Sequence, residues 1–388
     1  MNEQITGDVA PGWEAVADVL GESIESGEDV GASVAVYHRG ERVVDIAGGS
    51  FTPEGGAYDR DTLQLVFSTT KGITSLALAM CVQRGLLRYD ERVTTYWPDF
   101  AAEGKGDATV AQLISHQCGL ITVDGITLAE ALDWDTVTGR LADTKPDWEI
   151  GSGHGYHAVS FGWLAGELVR RVDGRSLGQF VAEEIVAPLG VELWIGLPEA
   201  LEPRVSPIIG GLVPDDLDPA VKAMVELMMG PATRGGRALS LSGAFSVDGA
   251  WNRRDVHAAQ IPAANAITNA ASLAKIYAAT LAPVDGVQLL DVPTRDIART
   301  QVTPAGEQDL CLMVGTTFGQ GFMVHGPLTV YAGPGSFGHP GAGGSVAFAQ
   351  PERELGFAYV MNKMATNLAG DSRAQRLIEA TTAIIDAQ

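Results

Sequence analysis

Cysteine is scarce. Among 388 residues there are three, Cys81, Cys118 and Cys311, far apart and without C-x-x-C spacing. An odd, scattered set argues against a disulfide framework and against a zinc site. Basic residues are also in deficit, 26 against 48 acidic ones, which leaves a formal net charge of -22. A surface of that sign repels phosphate backbones and anionic lipid, so neither nucleic acid nor a membrane surface is an expected partner. No uninterrupted apolar run reaches the roughly 18 residues of a membrane span. The opening "MNEQITGDVAPGWEAVADVL" lacks the basic start and apolar core of a secretory signal, so the expectation is a soluble cytoplasmic protein.

What is present is core material. Hydrophobic residues make up 46% of the chain, enough for one large domain or two closely joined ones. The order of patterns is informative. No periodicity is visible before Trp13, but "WEAVADVLGESIESG" then repeats at helical spacing. Two β-branched runs, "SVAVYH" and "RVVDIAGG", meet at Arg39-Gly40 and read as a hairpin. From about Thr109 to Leu197 apolar residues recur every three or four positions, a helical block. Pro203 to Asn265 is irregular and rich in Gly, Pro and Ser, and "AASLAKIYAATLAP" is another helix. The chain closes with two strands around Pro351-Glu352 and the amphipathic helix "SRAQRLIEATTAIIDAQ". This order predicts an α+β sandwich, an antiparallel sheet flanked by helices. The sheet domain is expected from 1–95 plus 262–388, a mainly helical insert from 96–261, and the active site between them.

Three segments have chemical potential. In "LQLVFSTTKGITSLALAM", Ser68 and Lys71 lie three apart, on one face of a helix start, where free N–H groups and the positive dipole end gather. An apolar neighbourhood disfavours the charged lysine and makes it a plausible base for a serine nucleophile. The plainer alternative is a capped helix with a solvated lysine. The same pattern recurs at Ser272-Leu-Ala-Lys275, without a following glycine, in what reads as a surface helix. In "IGSGHGYHAVSFGWLAGELV", Tyr156 stands between a Gly-rich loop and a helix, placed to carry a proton or simply to pack. In "GPGSFGHPGAGGSVAFAQ", His339-Pro340-Gly341 lies among glycines at a strand edge, where a backbone N–H can face a developing oxyanion. Its plainer alternative is a hairpin entry with a bystander histidine. His154 and His157 are a weak metal signal, having no carboxylate or cysteine ligand nearby.

In their order, "STTK", "YHA" and "HPG" resemble the serine β-lactamase and penicillin-binding-protein superfamily, above all its class C-like branch and the family VIII carboxylesterases. The resemblance spans roughly residues 15–385. It implies a serine esterase acting on small acyl groups through a covalent acyl-enzyme, without metal or other cofactor. Ser68 is then the nucleophile, Lys71 its base, and Tyr156 the proton relay. The N–H groups of Ser68 and Ala342 form the oxyanion hole, and His339, Gly341 and Gly343 line the substrate site. Two departures tilt the reading from β-lactamase to esterase. Ala158 stands where those enzymes carry an asparagine amide, and His339 stands where they carry a fixed lysine cation. An amidase, an acyltransferase or a weak β-lactamase of the same fold is the alternative, with a non-catalytic ligand-binding relative further off. No "GxSxG" elbow marks an ordinary α/β-hydrolase, and oligomeric state leaves no signal in the sequence.

Overall fold

The structure, a computed structural model, describes residues 5–211, 219–304, 306–366 and 370–388. Its strands are β1 (Ile5–Val9), β2 (Gly31–His38), β3 (Glu41–Thr52), β4 (Gly55–Ala57), β5 (Leu63–Leu65), β6 (Leu193–Trp194), β7 (Val205–Ser206), β8 (Ile267–Thr268), β9 (Met323–Val324), β10 (Phe337–Pro340), β11 (Val346–Gln350) and β12 (Leu355–Met361). The main sheet runs β1-β3-β2-β12-β11-β10-β9, with β4 hanging on β3. Every pairing in it is antiparallel, and β2 against β12 joins the two ends of the chain, Val36 facing Phe357. This is the expected antiparallel sheet flanked by helices. Arg39 and Gly40 both take positive φ, 53° and 79°, and close the β2–β3 hairpin where the sequence placed it.

Alternation along β2 explains the layers. Val34 and Val36 face the helices Glu14–Glu25 and Ser372–Asp386, packing with Leu20, Leu377 and Phe348. Ala35 and Tyr37 face the opposite way, into a larger core shared with Ile276, Leu273 and the Thr70–Gln83 helix. Both faces are covered, so all of β2 is buried. A second, short sheet orders β6-β8-β5-β7 beside the start of the Thr70–Gln83 helix.

Two expectations need correction. The helix at Ala270–Ala278 is not on the surface. Its alanines let it lie so close to the sheet that a Cβ on Gly356 would meet the Ala274 carbonyl oxygen at 2.7 Å. Small residues there mean close approach, not solvent. The segment before Trp13 is also not featureless. Ile5–Val9 forms an edge strand with only Ile5 buried, held by its backbone register to Val44–Gly48. Residues 212–218 of the irregular stretch lie outside the described residues. Among the described residues, no helix is long and apolar enough to cross a membrane.

Candidate active site

β5 ends at Leu65, a short 3-10 turn covers Phe67–Thr69, and the long helix begins at Thr70. Phe67 has φ 43°, left-handed for a bulky residue, so the chain reverses sharply just before Ser68. Packing holds that strained turn. The Phe67 ring meets Trp251 edge-on at 5.3 Å, and Trp251 stacks on Phe245 at 4.8 Å. Residues 262–266 strap the other side: Val66 N–H donates to the Ala266 carbonyl, the Ala266 N–H to Thr70 Oγ1, and Thr74 Oγ1 to the Pro262 carbonyl. From Leu63 to Met80 every residue is buried except Ser68.

Lys71 is fully buried, with its Nζ 3.0 Å from Ser68 Oγ, 2.6 Å from the Ala158 carbonyl and 2.9 Å from the Ala263 carbonyl. Burial holds its pKa well below the usual lysine range. The Tyr156 ring lies 4.9 Å from the same Nζ. Burial pushes the Tyr156 phenol up, and a hydrogen bond with Ser68 draws it back. The sequence motifs at 68, 71 and 156 are therefore brought to one point.

His339 stacks on the Tyr156 ring at 5.8 Å. Its Nδ1 lies 2.7 Å from the Pro340 carbonyl, an oxygen that only accepts, so Nδ1 carries the proton. Burial pulls the imidazole down to about 3, so it is neutral and Nε2 is a bare acceptor, without a partner among the described residues.

The turn after it needs its glycines. A Cβ on Gly341 would meet the Val66 carbonyl oxygen at 2.4 Å, and Gly343 takes φ 81°. Ser345 Oγ donates to the Val66 carbonyl at 2.9 Å and lies 3.1 Å from Thr69 Oγ1, clamping the 341–345 turn to the nucleophile turn. Ser68 and Ala342 each sit in the first turn of a short 3-10 helix, Phe67–Thr69 and Ala342–Gly344, where N–H groups have no intrahelical acceptor.

The remaining sequence candidates serve other ends. Ser272 Oγ accepts from the Glu192 N–H, while Lys275 donates to the Leu189 carbonyl and pairs with Asp285. The second S-x-x-K pattern is thus a helix start tied to its neighbours. His157 bonds the Gly155 carbonyl through Nδ1 and the Leu120 N–H through Nε2, and His154 turns to Thr316. Among the described residues, no group of three or more His, Cys, Asp or Glu side chains could hold a metal ion.

Sequence reasoning missed the groups that hold Tyr156. Asp309, fully buried, accepts from the N–H groups of Tyr156, Cys311 and Leu312 and from Thr316 Oγ1, all within 3.1 Å. Phe318 stacks nearly parallel to the Tyr156 ring, with the centroids 6.2 Å apart. A lone aspartate 153 residues away leaves no local pattern to find.

Comparison with known proteins agrees with this fold. An esterase/β-lactamase, LipL of Mycobacterium tuberculosis, is 35% identical over 354 residues, covering 87% of this chain and 78% of its own. The solved structure of a penicillin-binding-protein homologue from Caulobacter crescentus superposes with TM-score 0.86 at 36% identity, covering 98% of this chain and 99% of that one. A family VIII carboxylesterase structure gives TM-score 0.86 at 34% identity, over 98% of this chain and all of that one. The beta-lactamase family model matches residues 16–382, and the chain belongs to that family.

Proposed function

We propose that the protein is a serine esterase that cleaves carboxylic esters of small acyl groups through a covalent acyl-enzyme on Ser68. The carrying observation is the set of three contacts around Lys71 Nζ. A neutral amine has two hydrogens and one lone pair. Carbonyl oxygens only accept, so Ala158 and Ala263 take the two hydrogens, and the lone pair is left for the Ser68 hydroxyl proton. Esterase-named relatives and the family VIII carboxylesterase fold support the reading.

In the first half-reaction Ser68 Oγ attacks the ester carbonyl and its proton passes to Lys71. The N–H groups of Ser68 and Ala342 stabilise the oxyanion. The proton then reaches the departing alkoxide by way of Tyr156, and the C–O bond breaks to leave the acyl-enzyme. Water attacks in the second half-reaction, giving its proton back along the same route and releasing the acid and free Ser68. Gly341 and Gly343 give the oxyanion turn its shape. Neutral His339 offers Nε2 only as an acceptor, which suits an alcohol or water O–H and gives an anionic carboxylate no cation. The same proposal sets this site between a sheet domain, 1–95 with 262–388, and a helical insert, 96–261.

Purified protein is expected to hydrolyse p-nitrophenyl acetate. Ser68→Ala abolishes the activity and Ser272→Ala leaves it intact, while a chromogenic cephalosporin is turned over far more slowly. Full activity in Ser68→Ala refutes the proposal.

A further inference from the structure

Behind the 341–345 turn lies a buried charge cluster that the mechanism above does not use. Arg373, 4% exposed, stands at the start of the Ser372–Asp386 helix. Its guanidinium pairs with Asp371 (Nη2 2.8 Å, Nε 3.1 Å) and with Asp29 (Nη1 2.9 Å). Asp29 is itself held by the Tyr359 hydroxyl at 2.7 Å and the Ser23 hydroxyl at 2.6 Å. Two acidic partners fix the orientation of the planar fork, which then spends its remaining hydrogens on carbonyls. Nη1 donates to Lys363 O at 2.9 Å and Glu28 O at 3.3 Å, and Nη2 donates to Gly343 O at 2.7 Å.

The Gly343 contact matters for chemistry. That carbonyl also accepts from the Ala365 N–H at 2.8 Å, so both of its lone pairs are engaged. On the other side of Ala342, the Gly341 N–H donates to Ser345 O at 2.6 Å. The Ala342 N–H therefore sits between two anchored peptides. Gly343 and Gly344, at φ 81° and 131°, would leave the turn free to swing without those anchors. Gly344 is also tightly seated, since a Cβ there would lie 2.6 Å from Asp371 Oδ2.

We propose that Arg373 is a positioning residue for the reaction, holding the Gly343 carbonyl so that the Ala342 N–H stays aimed at the developing oxyanion. The inference rests on the acyl-enzyme reading. It gives the C-terminal helix a role in catalysis through Arg373 and the Gly343 carbonyl. Lysine cannot replace the guanidinium, because an ammonium lacks the planar reach to two carboxylates and the Gly343 carbonyl together.

The test compares an oxygen ester with its thiono analogue, whose C=S sulfur accepts hydrogen bonds weakly and gains little from an oxyanion hole. In Arg373→Lys, kcat for the oxygen ester is expected to fall on the order of tenfold or more with KM nearly unchanged, because the lost contact acts in the transition state. The oxygen-to-thiono ratio of kcat/KM falls with it. A merely structural role lowers both esters equally, and an unchanged ratio overturns the proposal. If Arg373→Lys fails to fold, Asp371→Asn loosens the fork while keeping the guanidinium, and an unchanged ratio there has the same meaning. Ser68→Ala is run alongside. Turnover by that variant rejects the acyl-enzyme reading itself, and no oxygen preference in the unsubstituted enzyme overturns the aimed Ala342 N–H. An inactive Ser68→Ala with an unchanged ratio in Arg373→Lys rejects only the role of Arg373.

Discussion

Lys71 has three oxygen neighbours, and its chemistry depends on which of them can give a proton. Only Ser68 can, so once desolvation favours the neutral amine, Ser68 is the one neighbour from which it can draw a proton. Activity then needs the unprotonated lysine and rises with pH through a folded-state pKa well below 10.5. The linkage has the same sign. The unfolded chain binds the proton that the folded one excludes, so this group makes stability rise with pH up to the unfolded lysine value. Lys71→Met is expected to lower the rate of Ser68 acylation by about 10²–10⁴-fold and to abolish the acid limb of the residual rate. A stopped-flow acylation rate within threefold of the original enzyme would eliminate Lys71 as the base.

At the scale of elements, the site is a junction of two turns, one before the Thr70–Gln83 helix and one between β10 and β11. Gly341 is where they touch. A methyl group there meets Ser345 Oγ at 2.1 Å and the Val66 carbonyl at 2.4 Å, and the Val66 backbone cannot rotate away as the Ser345 side chain can. Gly341→Ala is expected to cost about 1–3 kcal/mol by overpacking and to depress kcat more than KM, since it parts the Ser68 and Ala342 N–H groups. Urea unfolding and steady-state kinetics measure the two effects, and an unperturbed kcat would show that the turns are not coupled. This junction also marks the limit of what sequence makes legible. Ser68, Lys71, Tyr156 and His339 were visible because each sits in a contiguous motif with turn or helix chemistry around it. The carbonyls of Ala158 and Ala263, 87 and 192 residues from Lys71, are backbone atoms that any residue supplies. Asp309 reaches Tyr156 across 153 residues, and Arg373 reaches Gly343 across 30 and Asp29 across 344. The strand at Ile5–Val9 was hidden because an edge strand takes its order from its partner's backbone, not from its own periodicity. The Ala270–Ala278 helix misled because alanine is small enough to mark close packing as readily as an undemanding surface.

On the scale of the whole molecule, the site is embedded in a core that must keep several imidazoles uncharged. Burial pulls His157 down to about 4 and His339 to about 3, and drives His116 well below the ordinary histidine value. In the unfolded chain all three titrate near 6.5. Between about pH 6.5 and 4 the unfolded state therefore binds protons that the folded state refuses, and each imidazole lowers stability by up to roughly 1.4 kcal/mol per pH unit as acid is added. Asp29 and Asp45 are pushed up by burial and act in the opposite sense. Their folded carboxyls take protons at higher pH than unfolded ones, which titrate in the ordinary carboxylate range. Relief of the -22 net charge by carboxylate protonation belongs to that same lower range. Across the upper part of the window the three imidazoles act in the same sense as Lys71. The urea midpoint is expected to fall steadily from pH 7 to pH 5 at constant ionic strength, well before bulk carboxylate titration. A midpoint that stays flat or rises over that interval would mean that these imidazoles already carry, or easily accept, their protons in the folded core. The neutral His339 acceptor beside Tyr156 would then have to be abandoned as well.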